Sequence, residues 1–359
     1  MLHFFPRFAR DIGHTPFATE LRRLDVPHRL FSEELNRQYA TRFGLLLRVY
    51  PLLFLCAARA AVRSMVLSRP KPAAVVITSD IEAIVFGLVR AMASRRTLIV
   101  FETFIATERG SPWARRLHHV HYSLVVLFVD VAICHSEIEA QANAAKFPRC
   151  RTRFVALPYA LSVDRRDALR AQHGAAAAAS TLIVTAGRSG RDYETLAKAI
   201  EGLPCQLRII CDWERPTQGL ANEQITLVRN CFRSQYLAEL AQARLVVIPL
   251  AQRNVSAGQM VLLQAFALAK PVIITETPTT REYVVDGIDA VFSAHGDVAD
   301  LRRQIAGLLA DPARCADLGA RASDRYDERF STEAYVRRLV RLLHEIALPV
   351  ESVDRMKLH

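Results

Sequence analysis

Near-continuous runs of Val, Ile and Leu, each short enough to be a single strand, recur along this chain with helix-length segments between them. The first series has runs at 74–78, 97–101, 129–134 and 153–156, alternating with helical periodicity at 80–94, 113–127 and 137–146. The second has runs at 181–186, 206–211, 225–228, 245–249 and 271–275, with helical segments at 193–201, 234–243, 260–269 and 297–310. Strands covered on both faces lose the polar alternation of a half-exposed sheet. Helical crossovers between them impose parallel pairing of one hand. The pattern predicts an α/β protein with two Rossmann-like sheets.

A chain of 359 residues suits two such domains rather than one core. The Ala-rich stretch 170–180 reads as a helix end plus linker, which sets a boundary near 165–180 and domains at 1–165 and 166–330. A last helix, 331–346, begins with Ser331, Thr332 and Glu333 as a capping sequence. Residues 1–8 are a candidate first strand, followed by a loop with one glycine, Gly13.

With 51% hydrophobic and 23% charged residues the chain is globular. Its seven cysteines form no CxxC pair and read as small core residues in a reducing compartment. The N-terminus lacks the long apolar core of a secretory signal, so a cytoplasmic location is expected. A net charge of +11 calls for an anionic partner. Nucleic acid is not expected, because no helix-turn-helix, RNP or zinc-finger pattern occurs. Arg37, Arg42, Arg48, Arg59, Arg63 and Arg69 interrupt a very apolar segment whose longest uncharged run is 49–58. That run is far short of the ~20 residues that cross a bilayer. The segment suits either a basic amphipathic helix on anionic lipid, at the inner face of the plasma membrane, or a core helix broken at Pro51.

Four groups of residues could carry chemistry. Gly187, Arg188, Ser189, Gly190, Arg191 and Asp192 form a Gly-containing turn between a strand and a helix. Two guanidinium forks beside a helix N-terminus suit a diphosphate, although a solvated basic turn has the same composition. The block 256–293 leads from Ser256, Ala257 and Gly258 into an apolar helix beginning near Gln259 and Met260, where backbone amides favour anions. Asp212 and Trp213 end one strand, and Asn230, Cys231 and Phe232 follow the next. Glu102 ends another and could orient or deprotonate a hydroxyl, or simply cap. His135 and Ser136 suit packing and capping, and His14, Thr15, His118 and His119 rest on position alone. No HxxxH, DxD or Cys/His cluster stands at metal spacing.

The block 256–293 resembles the donor-sugar half of a nucleotide-sugar glycosyltransferase of the two-Rossmann-domain (GT-B) type, most like glycosyltransferase family 4. The likeness is specific over 181–290 and looser elsewhere between 70 and 346. It implies two domains facing each other across a cleft, with the terminal helix (331–359) returning to the first. It also implies transfer of a sugar, with anomeric retention, from a nucleoside diphosphate sugar to a lipid-linked bacterial polysaccharide or glycan acceptor, with no metal and no cofactor. Arg188 matches the arginine of the family's GR…KG motif, and Arg191 stands at its lysine. Ser256 and Gln264 stand where the family carries two glutamates, so both carboxylates are replaced. Gln264 can still bond a ribose diol. Glu282 matches the glutamate of the family's PEII.DG stretch, and the loops at Asp212 and at Cys231 and Phe232 match those that wrap the base. A non-catalytic sugar-nucleotide-binding subunit, or a sugar-nucleotide 2-epimerase, are the alternatives on the same frame.

Overall fold

The computed structural model describes residues 1–5, 15–31, 50–93, 97–106, 111–188, 190–253 and 256–347. The chain divides into two compact units, Met1–Leu157 with Tyr335–His359, and Pro158–Ala334.

The first unit is built on six parallel strands in the order β2-β1-β3-β4-β5-β6. These are β1 (Leu2–Phe4), β2 (His28–Leu30), β3 (Ala74–Ile77), β4 (Leu98–Phe101), β5 (Val131–Cys134) and β6 (Arg153–Ala156). Strands β3 and β5 are buried at every position, as expected of strands covered on both faces. α1 (Pro16–Arg23) joins β1 to β2, capped by the Thr15 hydroxyl on the Ala18 N–H. α2 (Tyr50–Ala61) runs on into a π-helical turn (Val62–Leu67) before β3. α3 (Asp80–Ala93), α4 (Pro112–Phe128) and α5 (Glu137–Lys146) are the later crossovers. The connections through α2, α3 and α4 all advance the same way along the sheet, which puts these helices on one face. α2 packs on α3 and α3 on α4.

The second unit has six parallel strands in the order β12-β11-β10-β7-β8-β9. They are β7 (Leu182–Ala186), β8 (Gln206–Ile210), β9 (Ile225–Val228), β10 (Leu245–Ile248), β11 (Val272–Thr275) and β12 (Val291–Ser293). From the β9 edge, the third, second and first strands of the unit are followed by the fourth, fifth and sixth. This is the doubly wound order, with its switch point between β7 and β10. α6 (Arg166–Ala179) precedes β7, so the Ala-rich stretch expected to be partly linker is helix to Ala179, as alanine's propensity favours. α7 (Tyr193–Ile200), α8 (Arg233–Ala241), α9 (Gln259–Ala267), α10 (Thr280–Tyr283), α11 (Val298–Ala310) and α12 (Pro312–Arg325) complete the layers. One core layer packs β7, β10 and β11 against α9, and the other packs the same sheet against α7 and α11.

α13 (Thr332–Ala347) spans the point where the chain leaves the second unit for the first. All seven cysteines are buried or half-buried and unbridged. Among the described residues no helix is long and apolar enough to cross a membrane. Of the basic apolar segment, residues 32–49 lie outside the described residues; Pro51 is the second residue of α2, in the first turn where proline is tolerated.

Candidate donor site at the switch point of the second unit

Strand β7 ends at Ala186, and the chain must turn tightly to enter α7. Gly187 (φ 131°) and Gly190 (φ 66°) supply backbone conformations that side-chain-bearing residues rarely adopt. The Asp192 carboxylate caps α7, accepting from the Thr195 N–H at 3.1 Å and its hydroxyl at 2.7 Å. The turn is also stitched to the loop after β10. Asp192 N–H donates to Pro249 O at 3.1 Å, Ala251 N–H donates to Gly190 O at 3.1 Å, and Arg191 bridges Leu250. A Cβ on Gly190 would lie 3.7 Å from that of Ala257. The two loops flanking the switch point therefore form one surface.

Gly258 opens α9 with φ 92°, and a Cβ there would come 3.2 Å from the Ile248 methyl. The first intrahelical bond runs from the Leu262 N–H to Gly258 O at 2.9 Å, so the amides of Gln259, Met260 and Val261 precede it with no acceptor inside the helix. They present donors and the positive end of the helix dipole. Gln259 Nε2 bonds the Ser256 hydroxyl, fixing the approach to the helix. Met260 is exposed. Gln264, one and a half turns in, is half-buried among Leu263, Ala265 and Phe266. Its Oε1 is fully enclosed and finds no donor among the described residues. A buried carbonyl left so costs about 1–3 kcal/mol.

The two arginines of the turn divide. Arg191 is folded inward: its Nε donates to Ala186 O at 2.8 Å, and its guanidinium lies where a Cβ on Gly187 would come within 2.7 Å. Burial lowers its pKa from the ordinary arginine value. Tyr193 Oη donates to Gly187 O at 2.6 Å and braces the same turn. Arg188 is exposed and reaches the other way. Its Nη2 donates to Asp212 Oδ2 at 2.7 Å, and its guanidinium carbon stands 5.8 Å from the Phe232 ring centre. Of the two forks expected to suit a diphosphate, Arg191 is thus half-buried within the turn and Arg188 exposed. The exposed ion pair contributes under about 1 kcal/mol, so an incoming diphosphate can draw Arg188 from Asp212.

Asp212 ties the β8 and β9 ends together, since its Oδ1 accepts the Asn230 N–H at 2.8 Å. Arg229 fastens the same rim through Cys211 O, Trp213 O at 2.7 Å and the Thr217 hydroxyl at 2.7 Å. Trp213 and Phe232 are half exposed, and Cys231 is buried. Glu282 lies in α10, half-buried. The end of β11 is held by residues that motif spacing did not single out. Thr275 Oγ1 accepts the Leu250 N–H at 2.9 Å, and Thr280 Oγ1 accepts the Thr277 N–H at 2.8 Å. The run of Thr275, Thr277, Thr279 and Thr280 was the available signal.

Glu102 belongs to the first unit, past the end of β4. Its Oε1 accepts from Tyr335 Oη at 2.9 Å, and burial raises its pKa. Ser136 caps α5 on the Glu139 N–H at 3.1 Å, the role expected of it, and burial lowers the pKa of His135. Among the described residues no group of His, Cys, Asp or Glu is arranged to hold a metal ion.

Residues 180–311 match the family model described as Glycosyl transferases group 1. By this match the second unit carries a glycosyltransferase domain. Solved structures with the same fold span the whole chain. Anabaena HepE, determined with UDP and glucose, is 14% identical at a TM-score of 0.60, covering 95% of this chain and 98% of its own. Sucrose-phosphate synthase from Thermosynechococcus elongatus is 16% identical at 0.66, covering 96% and 98%. Trehalose 6-phosphate synthase from Burkholderia multivorans is 13% identical at 0.67, covering 97% and 98%. No curated protein matches the sequence. The family match over 180–311 and the two Rossmann-like sheets, a frame shared with glycosyltransferases of the GT-B type, together support a glycosyltransferase.

Proposed function

We propose that the chain transfers a sugar from a nucleoside diphosphate sugar to a hydroxyl of a lipid-linked polysaccharide or glycan acceptor, with retention at the anomeric carbon. The observation that carries this reading is the stitched pair of loops at the β7 and β10 ends, which presents glycine-led amides at the switch point. The leaving diphosphate gains negative charge as the C1–O bond breaks. In this reading the amides of Gln259 and Met260 receive that charge, with Arg188 swinging onto the phosphate oxygens and Arg191 holding the turn beneath them. Gln264 Oε1, once donor binding uncovers it, accepts from a ribose hydroxyl, the base lies along the rim of Asp212, Cys231 and Phe232, and Ser256 bonds a sugar hydroxyl. Glu282 lies beside the donor sugar. No metal is needed, because amides and guanidinium groups neutralise the diphosphate. The acceptor hydroxyl attacks C1 and its proton leaves to Glu102 or to the donor phosphate.

The proposed setting is the cytoplasmic face of a membrane, with anionic lipid as the surface partner and no nucleic acid. HepE and its UDP support the donor class, since that protein was determined with UDP-glucose bound. The test is a thermal-shift screen against UDP-, GDP-, ADP- and dTDP-sugars, followed by transfer assays with the pair that binds. Stabilisation by none of them would sink the proposal. Ser256, which cannot supply a carboxylate, favours one other reading, donor binding without turnover. A ligand-dependent shift with no transfer or hydrolysis would select it.

A further inference from the structure

The outward face of α4 is apolar where a helix of this kind is ordinarily polar. Trp113, Leu117, Val120, Leu124 and Leu127 are 73%, 53%, 53%, 47% and 67% exposed. Spaced four, three, four and three residues apart, they lie on one stripe about 21 Å long. Val125 and Val126, on the opposite side, are fully buried, so the stripe is not the core-facing side of the helix. Leu88 and Met92 of α3 and Leu52, Leu55 and Val62 of α2 and its π-helical turn extend the exposed surface across neighbouring helices. Twelve of the nineteen large apolar side chains exposed among the described residues lie on these three helices and that turn.

Charge on α2, its π-helical turn and α4 is of one sign. Neither 50–67 nor 112–128 contains an Asp or Glu. In α3 the two acids are engaged, Asp80 with His121 at 3.1 Å and Glu82 with the N–H groups of Thr78 and Ser79 at 3.0 Å. Arg59, Arg63, Arg115 and Arg116 are exposed, and none pairs with a carboxylate among the described residues.

We infer that this α2–α3–α4 face is the docking surface for an anionic lipid bilayer, with the α4 stripe immersed and the arginines at the headgroups. The inference builds on the membrane-associated acceptor proposed above and locates the contact. The geometry of α4 matches an interfacial helix: apolar residues facing out, a tryptophan at one end and cations with no acids along the helix. The same spacing could form a seam with a second copy, but such a seam uses complementary charges at its flanks, and two α4 faces flanked by Arg115 and Arg116 with no acid repel. The partner is therefore anionic and itself apolar beneath its charge.

The experiment is flotation of the full-length protein with vesicles of phosphatidylcholine alone and of phosphatidylcholine with phosphatidylglycerol. Binding to the anionic vesicles is expected, with a loss of at least about tenfold in the Leu117→Glu/Leu124→Glu double variant and in Arg63→Glu/Arg116→Glu. Both variants replace exposed side chains, and an unchanged melting temperature and nucleotide-sugar shift confirm that fold and donor site persist. In a Trp213→Phe background, blue-shifted emission from Trp113 on adding anionic vesicles is expected as a second readout. Vesicle binding that survives both double variants overturns the assignment of this face while leaving a membrane setting intact. A wild-type protein that ignores vesicles but shows the donor shift, or that dimerises through α4 as judged by sedimentation of the leucine variant, overturns the inference without touching sugar transfer.

Discussion

Replacing Gln264 with leucine should move stability and ligand binding in opposite directions. The Gln264 Oε1 is enclosed without a donor among the described residues, a state that costs about 1–3 kcal/mol, and leucine has nearly the same volume without the orphaned oxygen. Gln264→Leu is therefore expected to stabilise the free protein by about 1 kcal/mol. For a unit of this size that raises Tm by roughly 2–4 °C. On the proposed donor reading, the same change leaves a ribose hydroxyl unpaired when a nucleoside diphosphate is present, which at about 1.4 kcal/mol weakens binding roughly tenfold. Differential scanning fluorimetry measures both, with nucleotide titrated from none to saturation. The wild-type and variant melting curves should cross as ligand is added. A variant less stable without ligand, or one with an undiminished ligand shift, would refute the argument that this oxygen is reserved for a ribose.

Three further outcomes are expected. Arg188→Ala should leave Tm within about 1 °C, since it removes only an exposed ion pair, while cutting transfer about 100- to 1,000-fold, as assayed by product formation. Gly258→Ala should cost about 1–2 kcal/mol in denaturant unfolding and abolish the nucleotide shift, because its φ of 92° disfavours a Cβ and Ile248 crowds it. Glu102 has a folded pKa raised above its ordinary value of 4.5 by burial, so the folded state binds its proton more tightly than the unfolded. Its stabilising contribution is complete below pH 4.5 and is lost as pH rises through the folded pKa. Glu102→Gln, which still accepts from Tyr335, should flatten that part of the Tm-against-pH curve and be more stable than wild type at neutral pH. A curve unchanged by the substitution would show the carboxyl is not the titrating group.

The sheets were legible wherever strands are long and β-branched, as at 74–77 and 182–186, since burial on both faces leaves no other arrangement. β2 (His28–Leu30) and β12 (Val291–Ser293) were not, because three residues carry no period. α12 (Pro312–Arg325) was also passed over, although Asp311 and Pro312 mark its start. Within the site, glycine spacing located the turn at Gly187 and the start of α9 correctly in the fold. The direction of each arginine was not readable, since the Arg188–Asp212 pair joins loops far apart in sequence. The α4 stripe was hidden for a different reason. A helix with large apolar residues on two opposite sides, as α4 has, resembles a core helix in composition, and only its exposure reveals the outward face.

The hydrogen bonds from Asp192 to Pro249 and from Ala251 to Gly190 make one rigid seat out of two connecting segments. Neither segment can shift to admit a bulkier phosphate end without breaking its main-chain hydrogen bonds to the other. Divergence in donor choice on this scaffold is then confined to the periphery around Asp212, Trp213 and Phe232, where side chains can be exchanged without disturbing that seat. Efforts to redirect the protein toward another nucleotide have their natural starting point there.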